Sequence, residues 1–243
     1  MTAGAPVPAL LLPGLDGSGR LFAPLLAAGP RRIAPTVLSF PPDAPLGYDG
    51  LLPRVRAALP RGPFLLVAES FSGPLAVRLA AERPRGLAGL VLAATFVHRP
   101  LNPILHRIRG LVGARLFGFR MPAPMVRHFM AGPDAANTMV AEVQAAVAAV
   151  SPQVLAHRSR EALDVDVRHL LRDVDAPLLV LQPLRDRLVR TDVADQVLAL
   201  RPDAEIRRLD APHMILQRAP HASLACIEAF AERALARRSA AAT

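Results

Sequence analysis

The sequence predicts an α/β fold, a mostly parallel sheet flanked by helices with an inserted helical cap, on three observations. Short apolar runs of β type alternate with amphipathic helical stretches. The alternation stops near residue 98 and resumes after Asp175-Ala176-Pro177. With 52% hydrophobic and 20% charged residues, the 243-residue chain can bury one sizeable core, which excludes global disorder.

Each element follows from local pattern. Pro8–Leu12 reads as a buried strand, followed by the glycine-rich turn Pro13–Gly19. Ile33–Phe40 is the second strand, and Tyr48–Leu59 suits a helix with Leu51, Leu52, Val55 and Leu59 apolar. Phe64–Ala68 is the third strand, Gly73–Arg83 the next helix and Gly89–Ala94 the fourth strand. From about His98 to Arg172 no strand is convincing. Ile104, Ile108, Leu111 and Val112 share one helical face, and Met139, Val143, Val147 and Val150 share another. Ser151-Pro152 has the form of an N-cap with proline at the first helical position. Strand Leu178–Gln182, helix Asp192–Leu200, strand Ala204–Leu209 and a last helix near His221–Arg238 complete the chain, with a frayed tail at Ser239–Thr243. The core is therefore assigned to residues 1–97 and 173–243, and the cap to 98–172.

Composition narrows the function. No apolar stretch reaches the roughly 18 residues of a membrane span, and Met1–Pro8 lacks a basic leader. A single cysteine, Cys226, fits a reducing compartment, so a cytoplasmic protein is expected. Neither a cysteine pair nor an HExxH spacing marks a metal site. All 29 basic residues are arginine, and the formal net charge is +9. The excess is local: Arg83 to Pro133 holds eight Arg and three His but no Asp or Glu. Such a surface attracts an acidic partner. Nucleic acid is not expected, because aromatics make up only 4% of the chain, with no Trp, and no recognition motif is present.

The segment richest in chemistry is Phe64-Leu65-Leu66-Val67-Ala68-Glu69-Ser70-Phe71-Ser72-Gly73. An apolar strand runs straight into Ser70, with small residues two positions to either side and a helix immediately after. A sharp strand–turn–helix needs such neighbours and lifts the hydroxyl out at the C-terminal edge of a sheet. It also aims the Phe71 N–H, at a helix N-terminus, toward a developing oxyanion. The plain alternative is a serine N-cap at a βα junction. A nucleophilic serine needs a base and the base an orienter. His213, in Ala211-Pro212-His213-Met214, and Asp186, in Pro183-Leu184-Arg185-Asp186, both follow predicted strands and so fall on the same edge as Ser70. His221 competes with His213, and Asp192 and Asp195 compete with Asp186, but all three rivals suit helix starts better. The turn Pro13-Gly14-Leu15-Asp16-Gly17 offers Leu15 as the second oxyanion donor. A phosphate loop is the alternative there, and it fails because no G-x-G-x-x-G occurs and a lysine-free chain has no Walker motif.

In this order of elements and motifs (PGLDG, AESFSG, helical insertion, PLRDRLV, APHM) the chain resembles the α/β-hydrolase superfamily over nearly its whole length. It is similar to small bacterial serine carboxylesterases and to pimeloyl-acyl-carrier-protein methyl ester esterases and related thioesterases. The resemblance implies Ser70 as nucleophile, Asp186 as acid, His213 as base and the Leu15 and Phe71 amides as oxyanion donors, with no cofactor or metal. Three departures stand out: Pro13-Gly14 replaces a His-Gly, Ala68 and Ser72 replace the elbow glycines, and the acid motif lacks its glycine.

The expected reaction is hydrolysis of an ester with an apolar acyl chain, for which the resemblance offers a pimeloyl-acyl-carrier-protein methyl ester as one candidate. A thioesterase, an acyltransferase with the same triad and a non-catalytic ligand-binding member of the fold stay open. Cap residues including Leu101, Ile104, Leu105, Ile108, Leu111, Leu116, Phe117, Phe119, Met121, Met125, Phe129 and Met130 could line an acyl chamber. Interleaved arginines, chiefly Arg107, Arg109 and Arg115, could dock an acidic acyl-carrier protein; a merely solvated basic face is the alternative.

Overall fold

The computed structural model describes residues 5–100, 112–190 and 192–241. Six strands, β1 (Val7–Leu12), β2 (Ile33–Val37), β3 (Phe64–Glu69), β4 (Leu87–Ala93), β5 (Leu178–Pro183) and β6 (Glu205–Leu209), form one sheet in the order β2-β1-β3-β4-β5-β6. Every pairing is parallel. Around it lie α1 (Ala23–Ala27), α2 (Tyr48–Ala57), α3 (Ser72–Ala81), α4 (Asn137–Ala148), α5 (Pro152–Asp164), α6 (Val193–Leu200), α7 (Ile215–Arg218) and α8 (Pro220–Ala241).

The strands read as continuous apolar runs because both faces of the sheet are covered. Alternate residues serve opposite cores. Leu10, Leu12, Leu66, Ala68, Leu90 and Leu92 pack toward α2 and α3. Ala9, Leu11, Leu65, Val67, Val91 and Ala93 pack against Phe22, Leu25 and the Leu224, Ile227 and Phe230 face of α8. A residue pushed one place along β3 would exchange its core for the other, so register is firmly set. The outermost strands suit edges: β2 carries Pro35, and β6 exposes Arg207 and Arg208.

All six predicted strands are present, with every end within three residues of the expected one. The second stops at Val37 rather than Phe40, because the Phe40 amide donates to the Gly17 carbonyl at 2.7 Å and draws the chain under the turn after β1. The last helix reaches Ala241. Helices α1 and α7 were not predicted; at five and four residues they are too short to show a period.

Between β4 and β5 the described residues add no strand to the sheet. They form a 3-10 turn (Ala114–Phe117), a single turn (Ala123–Met125), a π-helical stretch (Val126–Ala131), α4, α5 and a second 3-10 segment (Arg168–Asp173). The way in and the way out are zipped together: the Arg99 amide donates to Val165 at 3.1 Å and the Val167 amide to Val97 at 2.9 Å, flanking a His98–Asp166 bridge. Ser151 caps α5 by accepting from the Val154 amide at 3.3 Å, with Pro152 in the first turn, as the sequence indicates. The predicted helical face Ile104–Val112 lies, apart from Val112, outside the described residues. No single helix among the described residues is long and apolar enough to cross a membrane.

Candidate active site

The chain lays β2 on one side of β1 and then crosses back to lay β3 on the other. That reversal opens a crevice at the C-terminal ends of β1 and β3, the place where open α/β sheets bind ligands. The turn after β1 carries Leu15, and the turn after β3 carries Ser70 and Phe71.

Ser70 adopts φ 50, the left-handed region that a non-glycine residue enters at a cost of about 1 kcal/mol or more. Several bonds hold it there. Its amide donates to the Ala93 carbonyl at 3.0 Å, and its own carbonyl accepts the Gly73 amide at 3.1 Å and the Thr95 hydroxyl. Ala94, next to the end of β4, is also at positive φ, 45, and its amide is tied to Leu181 at 3.0 Å. The turn after β4 thus curls back to brace the turn after β3. Phe71, at the head of α3, is buried and stacks on Tyr48 with ring centroids 4.8 Å apart, and the Tyr48 hydroxyl donates to the Phe71 carbonyl at 3.1 Å.

Ser70 Oγ and His213 Nε2 are 3.0 Å apart, and His213 Nδ1 lies 2.8 Å from Asp186 Oδ2. The other Asp186 oxygen accepts the Leu188 and Val189 amides at 2.8 and 2.9 Å, which fixes the carboxylate's orientation. Both neighbouring arginines are engaged elsewhere, Arg185 with Asp210 at 2.6 Å and Arg187 with His128 at 3.1 Å, so Asp186 faces the imidazole. The rivals stand apart from this chain of bonds. Asp192 pairs with Arg190, Asp195 lies 3.7 Å from Arg208, and His221 is exposed in the first turn of α8.

His213 is buried. Burial disfavours its charged form, but the Asp186 carboxylate, through both charge and hydrogen bond, and the Glu69 charge outweigh that and raise its pKa above the ordinary imidazole value. Glu69, which sequence reasoning passed over, ends β3 in the α7–α8 core. Burial pushes its carboxyl up to about 7, against the Gln217 hydrogen bond and the charge of His213, with Asp16 adding to the rise. Gln217 Nε2 donates to it at 2.8 Å, while Gln217 Oε1 is left without a partner. An acid closing the otherwise apolar run Phe64–Ala68 was the available signal.

The turn after β1 is fastened to the elbow: the Ser72 hydroxyl donates to the Pro13 carbonyl, and a Cβ on Gly14 would lie 3.8 Å from Ser70 Cβ. Serine where the elbow glycine is expected is therefore a bridge between the two turns. The tight position falls one residue later, where a Cβ on Gly73 would run into the Thr95 side chain.

The cap residues divide. A cleft of about 340 Å³ is lined by Phe117, Phe119, Met121, Gln144, Val147 and Val150 among others, none of them triad residues. Leu15 packs on the adjoining Val150, Val154 and Leu155 cluster, so the cleft abuts the turn expected to hold the oxyanion. Leu116, Met125 and Phe129 do not line that cleft; each is more than a third exposed. Arg115 is exposed beside Leu116, whereas Arg107, Arg109 and the cap apolar residues Leu101–Leu111 lie outside the described residues.

The comparisons bear on the six-stranded parallel sheet with this strand order. The profile of the alpha/beta hydrolase family matches residues 9–225, and the chain belongs to that family. No curated protein matches the sequence. Among solved structures, a thermophilic esterase from Thermogutta terrifontis is similar at 17% identity and TM-score 0.77, covering 96% of this chain and 92% of that one. The enol-lactonase from Burkholderia xenovorans LB400 is similar at 20% identity and TM-score 0.70, covering 95% and 93%. MenH from S. aureus is similar at 13% identity and TM-score 0.75, covering 96% of each. At these identities the likeness is one of fold.

Proposed function

We propose that this chain is a serine hydrolase of carboxylic esters. The observation that carries the reading is the continuous series Ser70 Oγ, His213 Nε2, His213 Nδ1, Asp186 Oδ2 at 3.0 and 2.8 Å, starting from a nucleophile held at φ 50. His213 takes the Ser70 proton as Oγ bonds to the ester carbonyl carbon, and Asp186 holds the imidazolium that forms. The carbonyl oxygen becomes an oxyanion facing the Leu15 and Phe71 amides, each worth roughly 3–4 kcal/mol by analogy with a single oxyanion donor elsewhere. His213 returns the proton to the leaving alkoxide. Water, deprotonated by His213, then attacks the acyl-Ser70 carbonyl, and Ser70 regains its proton as the carboxylic acid departs.

The esterase and enol-lactonase among the similar folds agree with ester hydrolysis. The finer reading is an ester with an apolar acyl chain, supported by the apolar lining of the cap cleft, in a reducing, cytoplasmic setting. A carrier-bound substrate such as a pimeloyl-acyl-carrier-protein methyl ester is supported by the basic, partly apolar cap surface around Arg115, Leu116 and Phe119, and by the sequence of Arg107 and Arg109.

The test is covalent labelling with a fluorophosphonate, followed by turnover of p-nitrophenyl esters, methyl esters and acyl-carrier thioesters. Wild type is expected to label and to hydrolyse esters, and Ser70→Ala to lose both, with turnover down at least about 1000-fold. Full ester turnover by Ser70→Ala would overturn the reading. Product transfer to an added alcohol in preference to water would replace hydrolase by acyltransferase.

A further inference from the structure

Helix α5 turns Val154, Arg158 and Ala162 inward on one stripe. A guanidinium on an otherwise apolar stripe is expensive to bury, and Arg158 is completely buried. Among the described residues its acceptors are all backbone carbonyls. Nη1 donates to Leu15 at 3.1 Å and to Asp16 at 3.3 Å, and Nη2 donates to Pro41 at 2.8 Å. The guanidinium carbon lies 5.6 Å from the centre of the Phe40 ring. The turn is shaped to admit it: Gly17, at φ +69, has no side chain where a Cβ would come within 2.5 Å of Nη1. Burial pulls the Arg158 pKa down to about 10, partly opposed by the Asp16 carboxylate, so the group stays charged at neutral pH.

These bonds meet the turn after β1 from the cap side, while the Ser72 hydroxyl holds Pro13 from the elbow side. Leu15 lies between the two clamps, with its carbonyl fixed by Arg158 and the carbonyl two residues earlier fixed by Ser72. A turn anchored on both sides cannot shift relative to the elbow without breaking one of these bonds.

We propose that Arg158 is a positioning residue that holds the Leu15 amide at the oxyanion site, so that catalysis depends on α5 being docked against the core. The inference rests on the serine-hydrolase reading above. A pre-aimed donor acts on the transition state more than on bound substrate. Arg158→Met and Arg158→Lys are therefore expected to lower kcat about 10- to 100-fold on a p-nitrophenyl ester, with KM changed less than about threefold. Binding of a trifluoromethyl ketone, whose adduct carries an oxyanion, should weaken in step with kcat. Guanidinium added to Arg158→Ala should restore part of the lost kcat.

A role confined to stability would lower the melting temperature and the active fraction, yet leave kcat per fluorophosphonate-titrated site unchanged. That result, or a loss seen only in KM, would overturn the proposal. If Arg158→Met does not fold, Arg158→Lys decides, since one ammonium replaces the two Nη donors that now reach Leu15, Asp16 and Pro41, and wild-type kcat in it would refute the clamp. An inactive, unlabelled wild type would instead fail the parent reading, and is distinguishable because it needs no variant.

Discussion

Glu69 sits directly before Ser70, buried, with one amide donor and the His213 imidazole for company. Its carboxyl titrates near 7 in the folded protein against an ordinary value of 4.5, so the folded state holds this proton more tightly than the unfolded chain. The sign follows from linkage: stability from this group is greatest below pH 4.5, falls as pH rises toward 7 and is flat above. Glu69→Gln removes that loss and can offer an N–H to the orphaned Gln217 Oε1. It is expected to be more stable than wild type at pH 8 by on the order of 1–3 kcal/mol, and to show a smaller difference at pH 5. Denaturant midpoints at the two pH values check this; a less stable variant at pH 8 would contradict it. The same substitution removes a negative charge that favours the imidazolium, so the acid limb of the kcat/KM profile should move to lower pH.

Two short turns, after β3 and β4, brace one another through Ser70, Thr95 and Ala94, and Gly73 is the position where they come closest. Thr95 cannot yield to a methyl group there, because its hydroxyl is bonded to the Ser70 carbonyl and its Cγ2 and Cβ would lie 2.7 and 2.8 Å from the new atom. Gly73→Ala should therefore cost about 1–3 kcal/mol of stability and lower kcat, since relief of the clash moves the elbow. A variant with wild-type urea midpoint and turnover would show that the turns can part without consequence. The strands were legible because burial on both faces leaves long apolar runs, and α5 because Ser151-Pro152 announces it. The glycine that matters was harder to see: the usual elbow spacing points to position 72, where this chain places a hydroxyl that reaches Pro13. Close approach between two turns is a tertiary fact, and neither turn's sequence states it alone.

At the scale of the molecule, the convergence of Ser70, Asp186 and His213 was readable because each follows a strand, and parallel strands bring their ends to one edge. Arg158 was not, because one arginine among 29 becomes distinctive only when the α5 stripe Val154, Arg158, Ala162 is known to face inward. Charge acts over the same scale. Arg115 is exposed next to Leu116 and near Phe119, within a stretch that has no acidic residue from Arg83 to Pro133. If this face receives an acidic carrier, encounter is steered by fields that salt screens over about 8 Å at physiological ionic strength. Arg115→Glu should then reduce kcat/KM for a carrier-bound ester about 10-fold at low salt, and less as salt is raised, while a free p-nitrophenyl ester is hydrolysed within twofold of wild type. The free ester is the internal control, since the substitution lies on the cap surface and leaves Ser70, His213 and Asp186 untouched. Equal losses on both substrates, or a carrier rate indifferent to salt in the wild type, would mean that the arginines of this face are solvated charges and that the substrate arrives unescorted.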